Sequence, residues 1–216
     1  MKYSRREFLK TLVLLPASAL LASCARALGV ATAGPAAPAT AAPAGAAIGA
    51  TLAPTPACGD DDDEPTLAQT EGPFFTPNSP ERTSLLEEGM QGVYMLVSGR
   101  VLGTDCQPIA GTLLDFWHAG AEGNYDNVGF RLRGHQFTDE QGRYLLETIM
   151  PGLYAGRTRH FHVKVQRANG PVLTTQLYFP DEAANTTDGI FDARLLMAML
   201  PSESGVHAEF DFVLGE

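Results

Sequence analysis

The run His160-Phe161-His162-Val163-Lys164-Val165 alternates polar and apolar side chains without a break. Successive residues of a β-strand point to opposite faces, so Phe161, Val163 and Val165 share one face and His160, His162 and Lys164 the other. The apolar face belongs to a core, and two imidazoles project together from its back. Short apolar or alternating runs also occupy 93–102, 112–117, 142–148, 172–179 and 207–214, divided by turn chemistry such as Gly103-Thr104-Asp105 and Asp139-Glu140-Gln141-Gly142. Asn169-Gly170, between two of the runs, is a hairpin signal. Only 192–200 reads as helix, and no repeat of fixed period is visible. The expected fold is all-β, an antiparallel β-sandwich with few short helices over residues 66–216, preceded by a signal peptide and a disordered linker.

The first 23 residues have the layout of an export signal: a basic start, an apolar run over 11–22, then small residues. That run is short and interrupted by Pro16, which argues against a membrane span. Ser4-Arg5-Arg6-Glu7-Phe8-Leu9-Lys10 resembles the twin-arginine export motif, a route that carries folded proteins. Leu21-Ala22-Ser23-Cys24 resembles a lipoprotein box, in which Cys24 is acylated and becomes the mature N-terminus. A competing reading is cleavage after Ala31-Thr32-Ala33, which releases a soluble protein. Residues 24–65 form a tether, first rich in Ala, Pro, Gly and Thr and then acidic at 60–64.

Charge narrows the partners. The formal net charge is −10, the leader alone carries +3, and the remainder is −13. Outside the leader no Lys/Arg-rich stripe exists, so nucleic acid and anionic membrane surfaces are poor partners. Contact with a membrane is expected only through the lipid at Cys24. Three cysteines exclude a disulfide-built scaffold and a cysteine-ligated zinc module. Once Cys24 is acylated, Cys58 and Cys106 are the thiols left, and an oxidising destination favours their pairing.

By itself a His-x-His strand is weak evidence of a metal site, because such a pair is more often a polar sheet face. A wider pattern raises its meaning. Thr70-Glu71-Gly72-Pro73-Phe74-Phe75, Gly99-Arg100-Val101-Leu102, the PIAGTLLDFWHA segment at 108–119, Gly123-Asn124-Tyr125, Phe130-Arg131-Leu132-Arg133-Gly134, Thr138-Asp139 with Gly142-Arg143-Tyr144, Pro151-Gly152-Leu153-Tyr154 and the His-x-His strand occur in one order. Together they resemble the intradiol ring-cleavage dioxygenases, the family of protocatechuate 3,4-dioxygenase and catechol 1,2-dioxygenase.

That resemblance implies a β-sandwich holding non-haem Fe(III) through two tyrosines and two histidines, here Tyr125, Tyr154, His160 and His162. It also implies that Arg157 lies beside the substrate ring, that Gln176 is an active-site glutamine, and that Tyr154 is the ligand displaced by substrate. The implied substrates are a catechol-type diol and O2, and the implied product is a cis,cis-muconate. Two anionic phenolate oxygens suit a trivalent, hard cation. A catechol dianion that replaces one phenolate and one further monoanion leaves the site neutral, which favours the exchange in a partly buried place.

The chain departs from the family in two ways. Only five residues separate Tyr154 from His160, where catechol 1,2-dioxygenases carry a longer insertion, and the helical N-terminal region those enzymes use to dimerise is missing. A homodimer is left open. Tyr144 reads as a core residue, His118 and His135 as structural hydrogen-bonders, and His207 has no assigned role. Asn185-Thr186-Thr187 fits a glycosylation sequon, incidental in a bacterium. The rival reading is a non-catalytic transthyretin-like or carboxypeptidase-regulatory-like sandwich acting as a binding module, which has no need of the full tyrosine and histidine set.

The leader generates a direct expectation: replacing Arg5 and Arg6 together with Lys abolishes export, read by fractionation. Intact mass of the mature protein then shows a lipid at Cys24; an unmodified N-terminus at Gly34 contradicts the anchor.

Overall fold

A computed structural model describes residues 64–203 and 205–215; the leader and nearly all of the tether lie outside them. Strand β5, His160–Gln166, matches the alternation that predicted it: Phe161, Val163 and Val165 are fully buried. Around it stand β2 (Leu113–Trp117), β3 (Arg133–Phe137) and β6 (Leu173–Tyr178), in the order β3-β2-β5-β6, all antiparallel. The expected hairpin joins β5 to β6, with Asn169 at φ 59° and the Gly170 N–H closing the turn onto Arg167. The second sheet holds β1 (Tyr94–Gly103), β4 (Arg143–Ile149), β7 (Ala198–Leu200), β8 (Val206–Glu209) and β9 (Phe212–Leu214), ordered β4-β1-β8-β7 with β9 also on β1. The core between the sheets includes Met95, Val97, Leu114, Phe116, Leu146, Phe161, Val163 and Phe212.

Three features differ from the sequence expectation. The sheets are not wholly antiparallel, because β1 pairs parallel with both β8 and β9. The single run expected over 207–214 is broken where the Asp211 carboxylate takes the Arg100 N–H at 2.7 Å, in place of a ladder bond, and also meets its guanidinium. At that break the Phe210 carbonyl approaches so closely that a Cβ on Gly99 would lie 1.9 Å from it. Residues 192–200 are not a helix. Asp192 caps one 3-10 turn, Ala193–Leu195, after which Leu196 is extended and the chain enters β7. Good helix formers are overridden there by strand pairing: the Met197 N–H bonds the Tyr178 carbonyl at 3.0 Å, and Leu195 and Met197 bury alternately.

The N-terminal segment laces both sheets. Thr66 exchanges hydrogen bonds with Val213, Gln69 bonds the edge of β6 through Thr174, and the chain then crosses the outer face of the four-stranded sheet. Ser79 donates to Asp115 of β2, Arg82 and Pro80 pair with His135 of β3, and Thr83 and Leu85 pair with Glu147 of β4. Tyr144 is buried and donates to the Phe210 carbonyl, consistent with a core role. The Asn185 amide bonds the Phe179 carbonyl and accepts from Thr158, so the sequon asparagine is committed to internal contacts. Cys106 is disulfide-bonded; Cys24 and Cys58 lie outside the described residues.

His118 follows β2 between the sheets, with Nδ1 on the Ala119 carbonyl at 2.8 Å and Nε2 on the Thr148 hydroxyl at 2.7 Å. Burial lowers its pKa from the ordinary 6.5 to about 4, against the Ala119 hydrogen bond. Between those values the unfolded chain binds the proton more readily, so stability falls as pH drops from about 6.5 toward 4, by about 3 kcal/mol. Urea unfolding at stepped pH measures this slope, and His118→Gln makes it shallower over the same window.

Candidate functional site

The outer face of β5 is not exposed. His160 is 4% and His162 3% exposed, with Gly72 of the N-terminal segment, Trp117, Tyr125 and Tyr178 against them. Trp117 of β2 stacks flat on His162 at 4.9 Å, and Phe75 packs on Trp117 at 4.9 Å. Gly72, at φ +71°, lies so close that a Cβ there would stand 3.2 Å from His162 Cε1.

Tyr125 comes from the loop after β2 and Tyr154 from the turn after β4. The two loops interlock through backbone. The Gly152 N–H bonds the Gly120 carbonyl at 2.9 Å, and a Cβ on Gly123 or Gly152 would fall 2.1 Å or 2.4 Å from a carbonyl of the other loop. The rings of Tyr125 and Tyr154 meet edge to face at 5.6 Å, and Phe74 joins them, stacked on Tyr125 at 4.3 Å and edge-on to Tyr154 at 5.3 Å.

Three donor atoms converge. Tyr125 Oη lies 3.2 Å from His160 Nε2, which lies 3.1 Å from His162 Nε2. His160 donates Nδ1–H to the Thr158 carbonyl at 2.6 Å, so its Nε2 is a lone pair. Burial lowers the His160 pKa to about 4 and holds His162 well below the ordinary range, so both rings are neutral at pH 7. One lone pair thus faces two competing neighbours, and His162 Nδ1 is buried with no partner among the described residues. A cation can be met by all three atoms at once, and a carbonyl fixing the far nitrogen is the usual support of an imidazole ligand. Among the described residues no three His, Cys, Asp or Glu side chains form a metal-holding group, so a metal at this pair depends on the phenol oxygens. Burial holds the Tyr125 pKa above its ordinary value, opposed by Arg157 and Arg133.

Arg157 and Gln176 are also brought together. Arg157 Nη2 donates to Gln176 Oε1 at 2.7 Å, and Gln176, opposite His162 in the β5–β6 register, donates to the Thr70 carbonyl at 2.9 Å. The Arg157 N–H closes the turn onto the Tyr154 carbonyl at 2.9 Å. His135 bonds Ser79 and is spent on structure, and His207 bonds Ser98 on the other sheet.

Two participants are absent from the sequence reading. Asp188 accepts from Arg157 Nε at 2.8 Å and from the Thr158 N–H at 2.9 Å, so one carboxylate orients both the arginine and the residue whose carbonyl fixes His160. Nothing in sequence links it to a residue 31 positions away. Tyr178 donates to Gln176 Oε1 at 3.1 Å, and its pKa is pushed up to about 12 by burial, against Arg157. Period-two alternation along β6 puts Tyr178 on the face of Gln176, a signal already present in sequence.

A family model described as Dioxygenase matches residues 70–215. Hydroxyquinol 1,2-dioxygenase of Rhizobium sp. (strain MTP-10005) is 31% identical over 150 residues, 57% of this chain and 50% of that protein. The protocatechuate 3,4-dioxygenase beta chain of Burkholderia cepacia is 33% identical over 153 residues, 57% of this chain and 65% of that protein. The chain therefore spans about half to two thirds of these curated relatives. Among solved structures, the dioxygenase domain of a dioxygenase carbohydrate-binding protein fusion from Streptomyces sp. SirexAA-E is 55% identical, with TM-score 0.69 over 70% of this chain and 99% of that one. The 3-chlorocatechol 1,2-dioxygenase of Rhodococcus opacus 1CP is 27% identical, with TM-score 0.66 over 70% and 73%.

Asp188 is held below the ordinary carboxylate range because the Thr158 and Ile190 N–H groups and Arg157 outweigh its burial. Asp188→Asn leaves the Arg157 charge without its counter-charge and lowers stability by about 3 kcal/mol, measured by urea unfolding at pH 7.

Proposed function

This chain belongs to the intradiol ring-cleavage dioxygenase family, and we propose that it is an Fe(III)-dependent enzyme that cleaves catechol-type diols with O2 to cis,cis-muconate-type products. The observation that carries this reading is the approach of Tyr125 Oη and His162 Nε2 to His160 Nε2, at 3.2 Å and 3.1 Å, with the Tyr154 ring against that of Tyr125. Tyr125, Tyr154, His160 and His162 would hold the metal. Ferric iron there supplies a trivalent Lewis acid that favours the deprotonated diol and prepares its ring for O2.

The chain's own residues do the rest. Phe74 gives the diol ring an aromatic wall and displaces water. Both tyrosines lie outside the strands, but Tyr125 Oη already meets His160 whereas Tyr154 approaches through its ring, so Tyr154 is the ligand freer to move, and its phenolate takes a proton from the incoming diol. Arg157 is aimed by Asp188 and Gln176, and its charge stabilises the negative charge that develops on the substrate. In the net reaction the bond between the two hydroxyl-bearing carbons breaks and both atoms of O2 enter the product. The leader motifs support export by the twin-arginine route and an extracytoplasmic enzyme anchored through Cys24.

Ferric reconstitution should give a burgundy protein. His160→Ala loses most of the metal. Tyr154→Phe keeps some iron but activates the diol slowly, and Arg157→Ala keeps iron and colour while turnover falls about 100-fold or more. Mass spectrometry of the product made under labelled O2 is the deciding measurement: a labelled muconate is expected, and a semialdehyde, or full activity in Tyr154→Phe, overturns the mechanism.

A further inference from the structure

Arg133 is the one arginine or lysine among the described residues that is buried, at 1% exposed. Its guanidinium meets carbonyls rather than a carboxylate: Nη1 donates to the Phe74 carbonyl at 2.6 Å, and Nε and Nη2 donate to the Asp126 carbonyl at 3.1 Å and 2.7 Å. The Asp126 and Asp115 carboxylates act on this charge only through space, and a buried charge hydrogen-bonded to carbonyls alone is costly, so its contacts should matter beyond filling space. The two carbonyls belong to Phe74 and to the neighbour of Tyr125, whose rings are the stacked pair at 4.3 Å.

The Tyr125 end of this tie and the arginine itself are also fixed. The Asp126 carboxylate accepts the N–H groups of Val128, Gly129 and Arg131, which folds the loop behind Tyr125 onto itself. Arg82 donates Nε and Nη2 to the Arg133 carbonyl at 3.0 Å and 2.7 Å, pinning the arginine's own backbone. A planar fork can serve two carbonyls from separate segments; a single ammonium at the same place cannot reproduce that geometry.

We propose that Arg133 is a positioning residue for Tyr125: its guanidinium ties the Phe74 segment to the Tyr125 loop and so sets the phenol oxygen against His160 before a metal arrives. The role of Tyr125 as a ligand rests on the function proposed above; the tie between the two segments does not.

The first test needs no mutation. In native-state amide exchange on the full-length protein, with rising urea, residues 72–76 and 120–131 open together in one step; independent opening of the two segments overturns the proposal. Next, Arg133→Lys and Arg133→Ala are compared by ferric titration, visible spectrum and local exchange. Expected are about 10–100-fold weaker ferric binding, a shifted tyrosinate band, and protection lost at 72–76 and 120–131 but kept in β5. Millimolar guanidinium restores binding to Arg133→Ala. Ferric affinity equal to wild type in either variant, or protection lost equally throughout β5, refutes it. If wild-type protein takes up no ferric iron, the metal reading fails, while coupled opening of the two segments still reports on the tie.

Discussion

Two imidazoles on the outer face of a sheet must be kept from water, and much of the chain outside the sandwich core is arranged around that need. The inner face of the four-stranded sheet needs no help, since Phe116, Phe161, Val163 and Leu177 pack against the second sheet. The outer face carries Trp117, Arg133, His160, His162 and Gln176, all buried. Segment 66–85 is the main cover, bonded in turn to β9, β6, β2, β3 and β4. Removing that cover would expose the imidazoles and raise their pKa values toward the ordinary range, at which point they would cease to be dependable lone-pair donors near neutrality.

The loops that bring the tyrosines are held by backbone more than by side-chain packing. Gly123 and Gly152 let carbonyls of opposite loops come closer than any Cβ allows. Polar contacts then set orientation: Asp188 joins Arg157 to Thr158, and Thr158 fixes His160, so the arginine and the imidazole share one anchor. Arg159 extends the arrangement by bonding the Pro151 carbonyl on the Tyr154 turn and Glu182 beyond it. Fully satisfied networks of this kind specify one arrangement, whereas a half-satisfied one costs more than it returns.

How much of this was legible depends on where each signal resides. Strands β1 and β4 were readable because they bury one face, which forces a period of two, and β2, β5 and β6 because their core-facing side chains alternate with the largely polar or aromatic ones of the covered face. Strand β3, Arg-Gly-His-Gln-Phe, was not: its inward Gly134 leaves room that Leu85 and Arg82 of the covering segment fill from 49 to 52 positions away. The segment over 192–200 misled because its composition favours helix while its partners, Tyr178 and β8, lie elsewhere in the chain. The candidate ligands were named through ordered family motifs rather than spacing, and the structure brings Tyr125, His160 and His162 into direct contact, with Tyr154 adjacent through its ring. Asp188 carries no local signature because its meaning is entirely tertiary.

Placing the proposed chemistry on the outer face would separate two demands that conflict inside a core. Close packing stabilises a core because its side chains do not move, yet a ligand exchanged on substrate binding must be able to leave. Here the imidazoles stand on a central strand hydrogen-bonded on both sides, while Tyr154 stands on a turn that Gly152 and Gly156 flank and that is only half-buried. Rigidity and freedom are thus assigned to different elements meeting at one point. Under the proposed mechanism the same division accounts for Arg157 belonging to the turn yet being anchored to Asp188: were Tyr154 to swing, a guanidinium held only by its own backbone would swing with it, and the carboxylate on a separate loop would keep its charge in place.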